Sequence, residues 1–594
     1  MDLKRDFGAI GDGVADDTVP LQQAFDRLKA DRTTNMADCV LYIPTGTYRI
    51  TRSLRLLRGT DYQACGFEII GQDPSNTIII WDGLQDRTPR MILINGWYCK
   101  ISRLTLDGNR TCDTGILWGP LFSTFIQISD MTFRDLAIGI QGGLYEEKGI
   151  SEVTIKRCRF IRCAEAGISV ANWNSLDWWI WYCSFERCER AVTNYYGAGN
   201  FHVYNSVFYK SANTDISTDF PMFFSLRENT SIRSNRFCST EYHPVTNLLT
   251  IENNRVYNSG STPIVAKEPG SYVIYDNLFL YDQSPVIAFE NADACVVATG
   301  NTFTVNGAIH APAEAKTFEN IVRDPRDVAI VYPNLPKTPK FVRRPIIEIP
   351  PDSEDEEIQS AINQADLLRG QKPILHFQPG TYRIKRTLSI PKGSDMQLIS
   401  EGCFRTLLLW QGYNNGLVMK INGPSQITLA GIDIEAPVQR WRDGRQPPIT
   451  TDTVGVLIDD CDQPGSRIDL DKCYITNGTH EADSGVCLSV DKVLNTDITA
   501  HDINWWYFDT FIKVKGNGDL SAARNSSGRV VVFGGGTVET KDHAYDVSDG
   551  GRLLVRDVWY EAHKYLGKYF VSDGLGDFTL QSAMVGPDWS DGMT

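Results

Sequence analysis

Long apolar runs are missing from this sequence of 594 residues, and none approaches the roughly 20 residues that a membrane-spanning helix requires. Positive charge is also scarce, because 58 Lys and Arg stand against 73 Asp and Glu, for a formal charge of -15 at pH 7. Such an acidic chain is repelled by nucleic acid and by anionic membranes. We therefore expect no nucleic-acid or membrane partner, and a neutral or cationic ligand.

Metal-binding cysteine patterns are missing as well. The 14 cysteines form no CxxC pair, and no histidine stands at zinc-finger spacing from them. We predict no metal and no other cofactor. Cys158 and Cys163 reappear 25 residues later as Cys183 and Cys188, as stacked small residues of a repeat do. This spacing predicts buried free thiols.

A repeat of about 19 to 29 residues runs from residue 125 to residue 305. In each copy a small or polar residue stands two positions before a large, mostly aromatic one: Cys158 and Phe160, Cys183 and Phe185, Ser206 and Phe208, Asn235 and Phe237, Asn254 and Val256, Asn277 and Phe279, Asn301 and Phe303. The runs between are short and rich in β-branched residues, which indicates coils of a β-solenoid. The four Asn are predicted to form an internal hydrogen-bonded ladder.

A second and larger repeat divides the chain. The segment GTYRITRSL at 46–54 returns as GTYRIKRTL at 380–388, and a helix-like segment precedes each copy, at 21–25 and 358–362. A proline-rich connection runs from about 323 to 351. The prediction is an all-β chain of two tandem right-handed parallel β-helices, at 1–340 and 341–594, each with a short N-terminal capping helix.

The opening DFGAIGDGVADDT at 6–18 resembles the start of the pectate-lyase-like β-helix superfamily. Two β-helices in one chain resemble glycoside hydrolase family 55, whose members cleave β-1,3-glucans with inversion. The resemblance implies a pectin-lyase fold, a polysaccharide or oligosaccharide substrate and laminarinase-type activity. We expect a monomer. No signal-peptide segment follows Met1; the resemblance favours an extracellular protein, and a cytoplasmic one stays open.

The segment RDVWYE at 556–561 resembles the family segment that ends in the catalytic acid. The resemblance implies that Glu561 is the general acid, that Glu539 activates water, and that Trp505 and Trp506 stack on sugar. The two carboxylates are 22 residues apart, near one repeat, so we expect them on adjacent strands about 4.8 Å apart. Splayed side chains then reach the roughly 6.5 to 9.5 Å that inversion needs. Tyr560 is expected to contact substrate and to help desolvate Glu561.

The first domain is expected to supply further substrate contacts from its aromatic cluster, with Trp173, Tyr195 and Tyr196 as the candidates. The family resemblance implies a glutamine and a serine that hold the attacking water, and this sequence has no clear equivalents. Asn174 and Asn200 are the proposed substitutes.

Two other interpretations fit the same β-helix. One is a polysaccharide lyase acting on a uronate polymer, for which Lys541 and Arg556 lie near the candidate site but no calcium-type carboxylate cluster is present. The other is a glycan-binding or spike-type β-helix without catalysis. Product chemistry distinguishes all three.

Overall fold

The fold is taken from a computed structural model. It describes residues 1–585 except 29–38, 58–65, 84–87, 145–147, 220–222, 242–247, 341–343, 401, 403–404, 414–415, 437–452, 460–466, 477–484, 493–496, 507, 509, 517, 519–528, 539–542, 557, 562–569, 573–576 and 582–583. The chain divides into two compact units, Met1–Phe341 (unit 1) and Val342–Thr594 (unit 2). The division predicted from the sequence lies near residue 340. Each unit is a stack of parallel strands in three sheets.

The helices of the described residues are few and short. They are α1 (Leu3–Phe7), α2 (Thr18–Arg27), α3 (Asp355–Asp366) and a single 3-10 turn, Pro325–Asp327. α3 begins with a capping box between Glu354 and Glu357, which satisfies backbone donors at its N-terminus. α2 and α3 bury their apolar sides against the first coils of their own units, through residues that include Phe25 and Ile358. The predicted helical segments are thus confirmed.

Unit 1 contains sheets A, B and C, and within the described residues they have 12, 13 and 11 strands. The strands of sheet A are Val40–Ile43, Glu68–Gly71, Lys100–Ser102, Ser123–Ser129, Ile150–Lys156, Trp178–Trp181, Phe201–Tyr204, Phe223–Arg227, Leu248–Glu252, Ser271–Tyr275, Cys295–Thr299 and Lys316–Phe318. Those of sheet B are Asp12–Asp16, Gly46–Ile50, Thr77–Trp81, Thr105–Asp107, Thr132–Arg134, Arg159–Ile161, Ser184–Glu186, Val207–Tyr209, Thr230–Ile232, Arg255–Tyr257, Leu278–Leu280, Thr302–Phe303 and Ile321–Val322. Those of sheet C are Leu54–Leu56, Arg90–Ile94, Thr114–Trp118, Ile138–Gly142, Ala166–Ala171, Arg190–Tyr195, Thr214–Thr218, Cys238–Thr240, Ile264–Ala266, Ile287–Phe289 and Ile309–His310.

Unit 2 repeats this plan with sheets D, E and F, of 9, 8 and 7 described strands. The strands of sheet D are Ile346–Ile349, Ile374–Phe377, Asp395–Ser400, Gln426–Ala430, Arg467–Asp471, Asp497–His501, Arg529–Phe533, Arg552–Arg556 and Asp577–Gln581. Those of sheet E are Gly380–Ile384, Thr406–Trp410, Asp433–Glu435, Tyr474–Thr476, Asn504–Trp506, Gly536–Val538, Trp559–Glu561 and Met584–Val585. Those of sheet F are Leu388–Ile390, Leu417–Asn422, Val454–Asp459, Val486–Asp491, Thr510–Lys515, His543–Ser548 and Phe570–Ser572. The predicted all-β parallel solenoid is confirmed.

The duplicated GTYRI segment has the same role in both units. In each, it forms an early strand whose tyrosine is fully buried. The Tyr48 hydroxyl donates to the carbonyl of Pro44 at 2.8 Å, and the Tyr382 hydroxyl donates to that of Gln378 at 2.7 Å. A buried phenol needs such a partner, so the repeated sequence encodes a repeated contact.

A polar ladder lines the turn from sheet A to sheet B. Its asparagines are Asn229, Asn254, Asn277, Asn301 and Asn320, and each amide donates to the next side-chain oxygen at 2.9 or 3.0 Å. In earlier coils Cys158, Cys183 and Ser206 occupy the same place and face backbone carbonyls at 3.5 Å. The ladder therefore continues a column that contains thiols in earlier coils, and ten of the eleven described cysteines are buried.

The predicted membership of the ladder is wrong in one place. Asn229 takes the position assigned to Asn235, and Asn235 donates instead to the carbonyl of Asn213. The strand register pairs Phe208 with Ser231, so Ser231 interrupts the phenylalanine column there. The irregular 29-residue gap before Phe237 was the sign that its column differs.

The space left at Ser231 holds a buried carboxyl group. The Ser231 hydroxyl donates to Asp215 Oδ2 at 2.5 Å. Burial raises the pKa of Asp215 to about 7, and the hydrogen bond from Ser231 opposes that rise. A small polar island thus replaces one aromatic ring inside the core of unit 1.

Candidate functional site

The strand register of sheet E brings two of the predicted site residues into one column. Glu561 pairs with Val538, and Val538 pairs with Trp506. Since neighbouring strands lie about 4.8 Å apart, the backbones of Trp506 and Glu561 are about 10 Å apart along the stack. The same column continues through Thr476 to Glu435. The sequence did not single out Glu435, because the successive coils of this column differ in length from 23 to 41 residues.

The second predicted carboxylate, Glu539, lies outside the described residues. The register nevertheless corrects one expectation. The strands Gly536–Val538 and Trp559–Glu561 pair with a 23-residue offset, so Glu561 lies opposite Val538. The 22-residue spacing to Glu539 is therefore one residue short of the coil length at this point.

Trp505 and Tyr560 are corrections to the predicted sugar-binding set. Both are only 1% exposed and belong to the hydrophobic core of unit 2. The Tyr560 hydroxyl lies 2.6 Å from that of Tyr545 inside that core. Because side chains alternate between the two faces of a strand, residues next to Trp506 and Glu561 in sequence point inward, where no sugar can stack on them.

Unit 1 presents an exposed group of aromatic side chains, the aromatic platform, formed by Trp173, Tyr195 and Tyr196. Trp173 is 70% exposed and Tyr196 is 58% exposed. The Tyr195 and Tyr196 rings have centroids 6.5 Å apart. Ala171 pairs with Tyr195 where two neighbouring strands of sheet C end, so the turns that carry these rings lie side by side. Whether these rings contact a substrate stays a prediction.

The turns under the platform are closely packed and hydrogen bonded. A Cβ atom at Gly197 would lie 3.1 Å from both Cα and Cβ of Trp173, and the positive φ of Gly197, 83°, also favours glycine. The Asn174 backbone N–H donates to Asn172 Oδ1 at 3.0 Å, and its carbonyl accepts from the Ser151 hydroxyl at 2.9 Å. Asn174 therefore supports the loop through its backbone.

Asn200, the other proposed water-holding residue, is 1% exposed and forms part of a buried pair. Its Nδ2 donates to Asp177 Oδ1 at 3.0 Å, and its Oδ1 accepts from the Phe223 N–H at 3.3 Å. Burial raises the pKa of Asp177 to about 7, and the bond from Asn200 opposes that rise. Asp177 was not singled out from the sequence, although its 23-residue distance from Asn200 equals one coil.

Asp177 and Asn200 belong to a column of residues with positive φ at the entry to sheet A. The column includes Tyr98, Phe125 and Glu152, with φ of 54°, 54° and 51°. The Tyr98 and Phe125 rings stack with centroids 4.6 Å apart, and Glu152 bonds to the Thr124 hydroxyl. Aromatic and carboxyl side chains thus share this corner of unit 1.

The remaining tryptophans of the first-domain cluster are buried. Trp178 is in the core, while Trp179 and Trp181 lie on the opposite face of the strand and are 2% and 4% exposed. Trp179 stacks on His202 at 6.1 Å. Burial, together with the positive charge of Arg227, lowers the pKa of His202 to about 3, so this imidazole is neutral at pH 7.

Across the residues that the structure describes, no group of three or more His, Cys, Asp and Glu side chains is placed to hold a metal ion. In that same part of the chain, no helix has the length and apolar character to cross a membrane.

Comparison with known families and sequences gives partial matches. A family model described as rhamnogalacturonase A/epimerase, pectate lyase-like, matches residues 4–81. The mannuronan C5-epimerase AlgE2 of Azotobacter vinelandii is 33% identical over 141 residues, which are 23% of this chain and 13% of that protein. AlgE4 of the same organism is 31% identical over 140 residues, 23% of this chain and 24% of the relative. The matches therefore span less than a quarter of these relatives.

Two solved structures align with most of this chain at low identity. The sacteLam55A structure from Streptomyces sp. SirexAA-E aligns with 96% of this chain and 84% of its own, at 11% identity and a TM-score of 0.40. The PL6 family alginate lyase AlyGC aligns with 95% of this chain and 99% of its own, at 11% identity and a TM-score of 0.25. Both TM-scores are too low to carry an argument about function. The chain is an all-β parallel solenoid with a pectate-lyase-like fold.

Proposed function

We propose that this chain is a carbohydrate-active enzyme that hydrolyses a β-glucan, with β-1,3 linkages as the preferred substrate. The observation that carries the proposal is the aromatic platform, where Trp173 and Tyr196 remain exposed on closely packed turns. Contiguous exposed aromatic rings, unlike isolated ones, are typical of ligand-binding surfaces. Their apolar faces match the C–H faces of pyranose rings.

Cleavage is assigned to Glu561 on two grounds. The first is the resemblance of RDVWYE to the family 55 acid segment, and the second is the register that aligns Trp506 with Glu561. In the proposed inverting reaction, Glu561 protonates the leaving glycosidic oxygen. Water attacks the anomeric carbon from the opposite face and transfers its proton to Glu539. The enzyme is proposed to act as a monomer.

A uronate polymer is the second candidate substrate, because the curated relatives are named as mannuronan C5-epimerases and the family model names a rhamnogalacturonase and an epimerase. These names support action on a carbohydrate polymer in general. They divide the candidate reactions into hydrolysis, β-elimination and epimerisation.

One set of product assays distinguishes these reactions. The full chain is incubated with β-1,3-glucan, β-1,4-glucan, mannuronan and polygalacturonate. New reducing ends without ultraviolet absorption indicate hydrolysis, an absorbing double bond indicates a lyase, and altered ring-proton signals in an uncut polymer indicate epimerisation. Release of glucose or glucan oligomers from β-1,3-glucan supports the proposal, and a lyase or epimerase product overturns it.

The role of Glu561 is tested by Glu561→Gln, with Glu314→Gln as the matched control, since Glu314 is exposed in unit 1. We expect Glu561→Gln to lower kcat by roughly a hundredfold or more, as loss of a general acid does. Glucan affinity and thermal stability are expected to stay unchanged. Near-normal turnover in Glu561→Gln would remove Glu561 from the mechanism.

A further inference from the structure

Sheet D of unit 2 carries an open groove of about 170 Å³ on its outer face. Three cations, two carboxylates and three neutral polar side chains line it: Arg344, Lys372, Arg467, Asp395, Asp469, Gln397, Gln426 and Thr428. In a chain with a formal charge of -15, a groove with more cations than carboxylates is a local exception. Such exceptions mark surfaces that attract anions.

The groove is built from two neighbouring columns of residues that are in register on adjacent strands. Asp395 pairs with Gln426 and Gln426 with Arg467, which forms the first column. Lys372 and Arg344 extend this column, since each lies two residues before the paired strand residues Ile374 and Ile346. Within the strands, the side chains of Asp395, Gln426 and Arg467 follow one another at intervals of about 4.8 Å along the stack. That interval is close to the length of one pyranose residue in an extended chain.

Charge is distributed unevenly along the first column. The Arg467 Nε lies 3.1 Å from Asp469 Oδ2, and Asp469 also bonds to the Thr499 hydroxyl. Asp469 is therefore neutralised within the sheet. Arg344 and Lys372 are like charges that lie just before the paired strands Ile346–Ile349 and Ile374–Phe377, and neither forms an ion pair with another described residue. Like charges placed in this way repel each other unless an anion lies between them.

We propose that this groove binds an anionic oligosaccharide, with a uronate carboxylate held between Arg344 and Lys372. Guanidinium and ammonium groups form strong charge-assisted hydrogen bonds with carboxylates. Gln397, Gln426 and Thr428 supply donors and acceptors for neutral hydroxyl groups. Asp395, next in the column to Lys372, accepts from a hydroxyl group and repels a second carboxylate placed beside it.

The test uses the full-length protein and isothermal titration calorimetry with a mannuronate tetrasaccharide as the probe. We expect the double variant Arg344→Gln/Lys372→Gln to bind it at least roughly tenfold more weakly. Asp395→Asn removes a repulsive charge and is expected to tighten binding. Lys492→Gln removes an exposed charge outside the groove lining and is expected to leave binding within about twofold. Affinity is also expected to fall between about 0.05 M and 0.5 M salt.

Two results would overturn the inference. One is a double variant that keeps wild-type affinity together with wild-type thermal stability. The other is a β-1,3-glucose tetrasaccharide that competes equally with the mannuronate probe and loses affinity in the same variant. Glu561→Gln and Trp173→Ala are expected to bind mannuronate normally, so failure of the glucan hydrolase proposal and failure of this site give different results.

Discussion

Asn200 donates a hydrogen bond of 3.0 Å to the carboxyl group of Asp177 one coil below it, and the two side chains are buried together beside the aromatic platform. Burial is the larger influence on this carboxyl group, and it raises the pKa of Asp177 to about 7 from an ordinary 3.8. A group of this kind links the stability of unit 1 to pH.

The pair predicts how stability changes with pH. The folded state holds the Asp177 proton up to about pH 7, whereas the unfolded chain releases it near pH 4. This contribution to stability is therefore full below about pH 4 and is lost as pH rises towards 7. Asp177→Asn removes this pH-dependent loss of stability, because the amide does not titrate and its oxygen still accepts a hydrogen bond from Asn200. We expect it to raise the free energy of unfolding by on the order of 1–3 kcal/mol at pH 8, relative to wild type.

The check is urea unfolding of wild type and Asp177→Asn at pH 4.5 and pH 8. Asp276→Asn serves as the control, since Asp276 is exposed and has a similar positive φ of 56°. A stability difference between wild type and Asp177→Asn that is the same at both pH values would contradict the link.

The polar island of unit 1 predicts that removal of a single hydroxyl group lowers the free energy of unfolding. Ser231→Ala removes the donor to Asp215 Oδ2 and leaves that buried carboxyl with one bond fewer. We expect a loss of about 1–3 kcal/mol in the free energy of unfolding. Ser217→Ala removes a half-buried hydroxyl that donates to Thr193 Oγ1 and should cost less. If chemical denaturation shows the same loss of stability in both variants, the polar island does not have the predicted role.

The asparagine ladder predicts that a substitution in its middle destabilises unit 1 more than a substitution at its end. Asn277 donates to the carbonyl of Ile251 and to Asn301 Oδ1, and it accepts from Asn254. Asn277→Ala leaves several buried groups unpaired, and we expect a loss on the order of 3 kcal/mol or more. Asn320 ends the ladder and is half-buried. Asn320→Ala is expected to cost clearly less, and thermal unfolding with the two variants side by side measures the difference.

The aromatic platform predicts weaker glycan binding without a loss of stability. Trp173 and Tyr196 are largely exposed, so Trp173→Ala and Tyr196→Ala remove little core packing. Each is expected to weaken binding of a β-1,3-glucan oligomer by roughly tenfold, about 1.4 kcal/mol. Tyr332→Ala is the control, because Tyr332 is 64% exposed and lies outside the platform. Affinities are measured by calorimetry. If all three variants bind glucan as tightly as wild type, the platform does not bind glucan.

Gly197 offers an independent test of the platform geometry. Gly197→Ala introduces a Cβ atom 3.1 Å from Trp173 at a positive φ, so the turn must shift while both rings are kept. We expect glucan affinity to fall although no aromatic side chain is lost. Near-ultraviolet circular dichroism reports the altered tryptophan environment, and an unchanged spectrum with unchanged affinity would contradict the close packing of these turns.

Much of the fold is encoded locally and could be predicted. The copies of GTYRI at 46–50 and 380–384 form equivalent strands with equivalent buried tyrosines. The acidic first turn of α3 and the column of Cys158 and Cys183 also follow from short patterns. Periodic side chains determine which face of each strand is apolar, and that information is carried by neighbours in sequence.

Only the tertiary structure determined the register between strands and the burial of individual side chains. Ser231 rather than Phe237 pairs with Phe208, and Val538 rather than Glu539 pairs with Glu561, because turns of different length shift the count between coils. The alternation of side chains along a strand places Trp505 and Tyr560 in the core, whereas Trp173 lies in a turn and is exposed. The sequence determined a parallel β-solenoid rich in aromatic and acidic residues, and the stacking of its coils determined which of those residues can meet a ligand.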